Sequence, residues 1–144
     1  MLVQHLLNEQ GARGVITVSQ SERMREIANI MAHHNIGSIL VTDEDGTLRG
    51  LISERDIVRV LANKGPQSLE ETVGTHMTRN LKTTEKSATV QDVLERMTQG
   101  RFRHMPVVEE GKLLGIVTIG DAVKAQLDQL QMENKALEGM IAGN

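Results

Sequence analysis

"GLISERDIVRVL" (Gly50–Leu61) and "GIVTIGDAVKAQL" (Gly115–Leu127) share one formula: a glycine, two apolar residues, a hydroxyl, two variable residues and an aspartate. A core explains the apolar positions in both places. It does not explain the repeated hydroxyl and carboxylate, Ser53 with Asp56 and Thr118 with Asp121. The repetition decides the fold because it continues upstream. "VITVSQSERMREIANIM" (Val15–Met31) aligns with "LKTTEKSATVQDVLERM" (Leu81–Met97), placing Thr17 on Thr83 and Ser21 on Ser87. Met24, Ile27, Ala28 and Met31 fall on Val90, Val93, Leu94 and Met97. That i, i+3, i+4, i+7 spacing predicts an amphipathic helix in each copy, with Ser21 and Ser87 as candidate N-caps.

"SILVTDEDGTLRGLIS" (Ser38–Ser53) then matches "HMPVVEEGKLLGIVT" (His104–Thr118). Each reads as a strand, a turn and a strand, with Gly46 and Gly111 where the chain reverses. The second turn is one residue shorter, which moves the register between copies by one. A helix follows, from Glu54 to Ala62 in one copy and from Ile119 onward in the other. Each copy therefore reads β-α-β-β-α. The expected organisation is a helical lead-in (1–13), a first repeat (14–63), a linker (64–79), a second repeat (80–128) and a helical extension (129–144). The linker contains Gly65-Pro66, is too short and too apolar at Leu69, Val73 and Met77 for a free tether, and is expected to run across the surface of a closely packed pair.

Composition narrows the function. The chain has 144 residues, with 39% hydrophobic and 24% charged, as in ordinary soluble domains. Phe102 is the one aromatic, so the core must be aliphatic and methionine-filled. Without cysteine there are no disulfides, thiolate nucleophiles or cysteine-held zinc. A net charge of −3 argues against a nucleic-acid footprint. No apolar run reaches the ~18 residues of a membrane span. "MLVQHLLNEQG" has neither a basic n-region nor a cleavage site, so a cytoplasmic protein is expected. His33-His34 has no third residue spaced to complete a metal site, and Asp43-Glu44-Asp45 lacks the later glutamate of a calcium loop. No nucleophile–base constellation or phosphate-loop motif is visible, and the chain reads as a non-enzyme.

Two readings of the doubled hydroxyl-x-x-Asp stand side by side. A hydroxyl at a strand-to-helix junction with an acid three residues on resembles a capping box, and the acid suits the helix dipole. Capping boxes favour Glu or Gln at that place, however, and both copies carry Asp. A helix N-terminus also offers N–H groups that suit a phosphate. The same residues can cap when empty and bind a nucleotide when full.

The span from about residue 10 to 128 resembles a tandem pair of cystathionine-β-synthase (CBS) domains, the Bateman module. The resemblance is carried by "ITV", by the "SILV" and "RHMPVV" strands, and by "GLISERDI" and "GIVTIGDAV". It implies an α+β fold in which two repeats pack with pseudo-two-fold symmetry, plus the C-terminal helix. It also implies two clefts for adenosine-containing ligands: AMP first, with ADP, ATP, NAD(H) or S-adenosylmethionine as alternatives. None would be an obligatory cofactor. Carried over, Asp56 and Asp121 would hold ribose diols, and Ser53 and Thr118 would contact ribose or phosphate. Thr17 and Thr83 would read the adenine edge, largely through neighbouring backbone. Gly37, Ser38 and Ile39 match Arg103, His104 and Met105, which precede Pro106, and both stretches would line a cleft.

The copies differ in charge. "GSILV" is neutral, whereas "RFRHMPV" brings Arg101, Arg103 and His104, donors suited to phosphate. Arg55 adds a charge to the first copy where the second has Gly120. The expected protein is an adenine-nucleotide sensor that works as a homodimer and signals to a partner in trans. The rival is a structural dimerisation module whose motifs serve only as caps. Val123, Leu127, Leu130, Asn134, Leu137 and Ile141 continue the last helix at heptad spacing, the pattern of a paired coil.

Overall fold

Two helices of matched length carry the predicted apolar stripes. The computed structural model describes residues 1–10 and 15–141; the expected boundary at 13/14 and the end of the extension, 142–144, lie outside the described residues. In chain order the elements are α1 (Val3–Gln10), β1 (Thr17–Val18), α2 (Met24–His34), β2 (Ser38–Thr42), β3 (Leu48–Ser53) and α3 (Glu54–Lys64). After a 3-10 turn (Pro66–Glu70) come α4 (Val73–His76), α5 (Val90–Gly100), β4 (His104–Glu109), β5 (Lys112–Thr118) and α6 (Ile119–Ile141).

Both stripe helices begin later than the aligned serines suggested. Ser21 and Ser87 are not the N-caps. Burial of Met24 and Val90 fixes the first turn, so the caps fall on Arg23 and Thr89. The Thr89 hydroxyl accepts from the N–H of Asp92 at 3.0 Å, Arg23 supplies no side-chain cap, and Ser21 instead bonds the Ser19 hydroxyl. Both helices stop at left-handed residues in aligned positions, Asn35 (φ 52°) and Arg101 (φ 57°). In each the N–H of the next residue returns to a methionine carbonyl, Ile36 to Met31 and Phe102 to Met97, as in a Schellman ending.

The chain groups into two compact units. The Asp56 unit holds the described parts of 14–82 with 108–114. Its sheet runs β1-β2-β3, with β1 parallel to β2 and β3 antiparallel. Its core joins Met24, Ile27 and Met31 of α2 to Ile39, Val41, Ile52 and Ile57, and to Val73 and Met77. The segment expected to cross the surface therefore contributes core residues: Val73 is fully buried and Met77 nearly so. The turn at Asp43–Thr47 meets the β4–β5 tip, where Leu48 donates to the Gly111 carbonyl and Leu113 to that of Gly46.

The Asp121 unit holds the described parts of 1–13, 83–107 and 115–144. Val90, Val93, Met97, Met105, Val107, Val117 and Ala122 form its core, and Val3 and Leu6 of α1 join them. The expected first strand is reduced to one parallel bridge, Thr84 to Val107, because the chain turns away at once through Lys86 and Ser87. Each buried aliphatic side chain contributes about 1.5–3 kcal/mol, so aligned residues filling both cores stabilise the two units by the same means.

The repeat also starts earlier than the sequence alignment shows. Val3 donates to the Ala88 carbonyl and Gln4 to that of Lys86; Val73 donates to Glu22 and Gly74 to Gln20. Leu2 bridges Thr89 as Thr72 bridges Arg23. Residues 2–7 and 72–77 are thus one structural element used twice. This explains the glycines of the opening formula. A Cβ at Gly50 would lie 2.6 Å from Met77 Sδ, and one at Gly115 would lie 2.6 Å from Leu7 Cδ2.

Candidate functional site

In the Asp56 unit, β3 delivers Ser53 in extended geometry (φ −107°, ψ 164°) to the first turn of α3. Its hydroxyl accepts from the N–H of Asp56 at 3.2 Å, and its own N–H donates to Asp56 Oδ2 at 2.9 Å. This is a closed capping box, completed by the shorter aspartate. Asp56 Oδ1 also takes a bond from Arg59 Nη1 at 3.3 Å, and the Asp56 side chain is only 15% exposed. In the same turn, the Glu54 N–H donates to the Gly37 carbonyl at 2.9 Å, pinning the helix start to the entry of β2. Strand register sets Ser38 directly opposite Ser53. The Glu54 carboxylate lies over Gly37, where a Cβ would be 3.4 Å from its Oε1. Arg55 is exposed on the same turn.

The Asp121 unit repeats two of these bonds. Thr118 Oγ1 accepts from the N–H of Asp121 at 3.1 Å, and the Ile119 N–H donates to the Arg103 carbonyl at 2.9 Å. Gly37 and Arg103 are structural equivalents, as the alignment required. The charge differs around these matched backbones. The first copy has a glycine under a glutamate, and the second has an exposed arginine, then half-buried His104, with Ile119 in place of the glutamate.

The remaining candidates divide by burial. Ile39, Met105 and Pro106 are buried, the first two within the cores, so only their backbones could meet a ligand. The Pro106 carbonyl already accepts from the Thr84 N–H at 2.9 Å. Thr17 is exposed on β1, while Thr83 is half-buried and its carbonyl accepts from Arg96 Nη2 at 2.9 Å. Arg101 sits at the left-handed end of α5, which makes it a helix terminator as well as a surface cation. Arg96 was not among the sequence candidates. Its one signal is that the alignment sets it on Ile30, a cation on an otherwise apolar flank.

Each unit thus presents a helix N-terminus whose first-turn N–H groups, hydroxyl and carboxylate converge beside the entry of a strand. Such a site can accept a hydroxyl-rich or anionic group. Among the described residues no cluster of three or more His, Asp or Glu is placed to hold a metal, and no helix is long and apolar enough to cross a membrane.

Comparison with known proteins agrees with the doubled arrangement. The CBS domain family matches the chain twice, at residues 12–63 and 73–128. A 17.7 kDa uncharacterized protein from the bps2 3' region of Acidianus ambivalens is 36% identical over 120 residues, 83% of this chain and 71% of that one. A mitochondrial CBS domain-containing protein of Arabidopsis thaliana is 34% identical over 117 residues, 78% of this chain and 57% of that one. The crystal structure of the CBS-domain containing protein ATU1752 from Agrobacterium tumefaciens superposes with a TM-score of 0.81 at 42% identity, covering 88% of this chain and 99% of that one. The CBS domain pair of protein MJ0100, crystallised with 5'-methylthioadenosine and S-adenosyl-L-methionine, superposes with a TM-score of 0.77 at 29% identity, covering 90% and 98%. With both family matches falling on its two structural repeats, the chain belongs to the CBS-domain family as a tandem pair.

Proposed function

We propose that this CBS pair is a regulatory module that binds adenine nucleotides, AMP before ADP, ATP, NAD(H) or S-adenosylmethionine, and signals as a homodimer to a partner in trans. The observation that carries the reading is the duplicated helix start. Ser53 and Asp56 beside Gly37 and Ser38, and Thr118 and Asp121 beside Arg103 and His104, offer a carboxylate for a ribose diol next to first-turn N–H groups. A related pair holding two adenosine compounds supports that ligand class. The second copy, with Arg103 and His104 in place of Gly37 and Ser38, is the better equipped for phosphate. Arg55 is the first copy's counterpart charge. Ligand binding acts by favouring one conformation of the module over another, which requires differential affinity. The reading has no catalytic step, and the compartment it fits is the cytoplasm.

A second reading has one observation in its favour. Ser53 and Asp56 already close a complete capping box, so both motifs could be caps of a purely structural module. Thermal unfolding against AMP, ADP, ATP, NAD, NADH and S-adenosylmethionine separates the two. A ligand at 100 times its dissociation constant adds about 2.7 kcal/mol, or roughly 5–10 °C for a chain of this size. That shift, lost in Asp56→Ala or Asp121→Ala, supports sensing. No shift with any of the six in nucleotide-free protein leaves the caps as caps.

A further inference from the structure

In α6, Ala122 and Ala125 are buried in the core, and Gln129 accepts a bond from the amino terminus at 3.1 Å. From Leu130 to Ile141 every residue except Gly139 is exposed. Val123, Leu127, Leu130, Leu137 and Ile141 lie on another face of the helix, 43–85% exposed, at alternating steps of four and three with Asn134 completing the row. This seam runs roughly 28 Å at the helical rise per residue. A dozen residues of helix with no tertiary packing are marginal in water, so the seam calls for a partner.

We propose that the partner is the same seam of a second copy, paired parallel and in register. This rests on the homodimer reading above and not on the nucleotide. The row places Val123, Leu130 and Leu137 at d, and Leu127, Asn134 and Ile141 at a. Asn134 decides the orientation. In a parallel, in-register pair it meets its own copy and both amides are hydrogen-bonded. In any antiparallel pair, a faces d, so Asn134 meets Val123, Leu130 or Leu137 and both amides are left against aliphatic carbon. Flanking charges oppose the parallel choice only weakly. Glu133 at g faces Glu138 at e of the other helix, twice by symmetry, whereas an antiparallel pair would set Lys124 beside Glu138. Exposed pairs of this kind contribute little. A stranded buried amide costs more. The parallel seam therefore wins while carrying a repulsion that can be removed.

Two full-length variants test the proposal, each read by sedimentation equilibrium beside the parent. Glu138→Lys turns both Glu–Glu contacts into attractions between Glu133 and the introduced ammonium, and the parallel seam then dimerises about three- to tenfold more tightly. Looser dimerisation marks the antiparallel seam and overturns the proposal. Leu137→Cys places the sole cysteine of a cysteine-free chain at a d position. Mild oxidation then gives a covalent dimer in high yield, since only parallel register brings Leu137 against its twin. A parental dimer that Leu137→Cys does not cross-link leaves the homodimer standing and overturns the seam. A parental chain monomeric at all concentrations overturns both.

Discussion

Ser53 and Asp56 hold each other twice: the serine hydroxyl accepts from the aspartate N–H at 3.2 Å, and the serine N–H donates to the aspartate carboxylate at 2.9 Å. The same carboxylate proposed to hold a ribose is therefore part of the helix start. Asp56→Ala is expected to lower stability without ligand by about 1 kcal/mol, the usual cost of a lost cap, and Asp56→Asn by less because an oxygen remains for the Ser53 N–H. Urea unfolding of the nucleotide-free variants checks this. A ligand effect must then be read as the shift each variant shows over its own baseline.

The two formula glycines should not be equally replaceable. Alanine at Gly115 meets only the flexible end of Leu7, which can rotate away. Alanine at Gly50 meets Met77 Sδ at 2.6 Å and also the Thr78 carbonyl oxygen at 2.9 Å, a backbone atom that cannot move without breaking its bridge to Leu51. Gly50→Ala is expected to cost about 1–3 kcal/mol and Gly115→Ala clearly less. Equal losses in denaturant midpoint at unchanged m would refute the distinction.

Arg101 ends α5 in the left-handed region, where a Cβ is unfavourable. Arg101→Gly should stabilise the chain by roughly 0.5–1 kcal/mol, since glycine is at ease in that conformation. A Tm that falls would mean that the arginine side chain contributes more than its backbone costs.

Lys112 sits 2.7 Å from Asp45 Oδ2, and with the Thr47 N–H on Oδ1 it holds the Asp45 carboxyl well below the ordinary carboxylate range. Glu71 is lowered by Lys64, and Glu70 by Arg25. A folded-state pKa below the unfolded one gives stability that is present above about pH 4 and is lost as pH falls through the folded value. Lys112→Met should therefore be less stable than the parent at pH 7, and the gap should close as pH falls below about 4. The pair is exposed, so 1 M salt should shrink the gap too. A gap constant from pH 7 to pH 2 would show that Lys112 acts through packing.

The stripes Met24–Met31 and Val90–Met97 gave both helices, because burial every three to four residues is a property of the chain itself. The formula at Ser53 and Thr118 likewise placed both strand-to-helix junctions. What escaped was the kinship of residues 2–7 with 72–77. They are offset by 70 positions where the stripe helices are offset by 66, and only Val3 with Val73 and Leu7 with Met77 match in character. Backbone bonds to Ala88 and Glu22 carry that equivalence, and backbone bonds leave no mark on side-chain identity. The aligned serines misled for the opposite reason: Ser21 and Ser87 recur, but the caps follow the first buried residue, not the first hydroxyl.

The helix Val3–Gln10 finds its seat against Val90 and Val93, far downstream in the chain. During synthesis Val3, Leu6 and Leu7 leave the ribosome long before their pocket exists. The other unit waits as well, for the tip at 108–114. Neither unit can be completed from the residues up to the linker alone, so the apolar face of α1 stays bare while the rest is made. It is there, and not at either hydroxyl-x-x-Asp junction, that a nascent-chain chaperone would find its foothold.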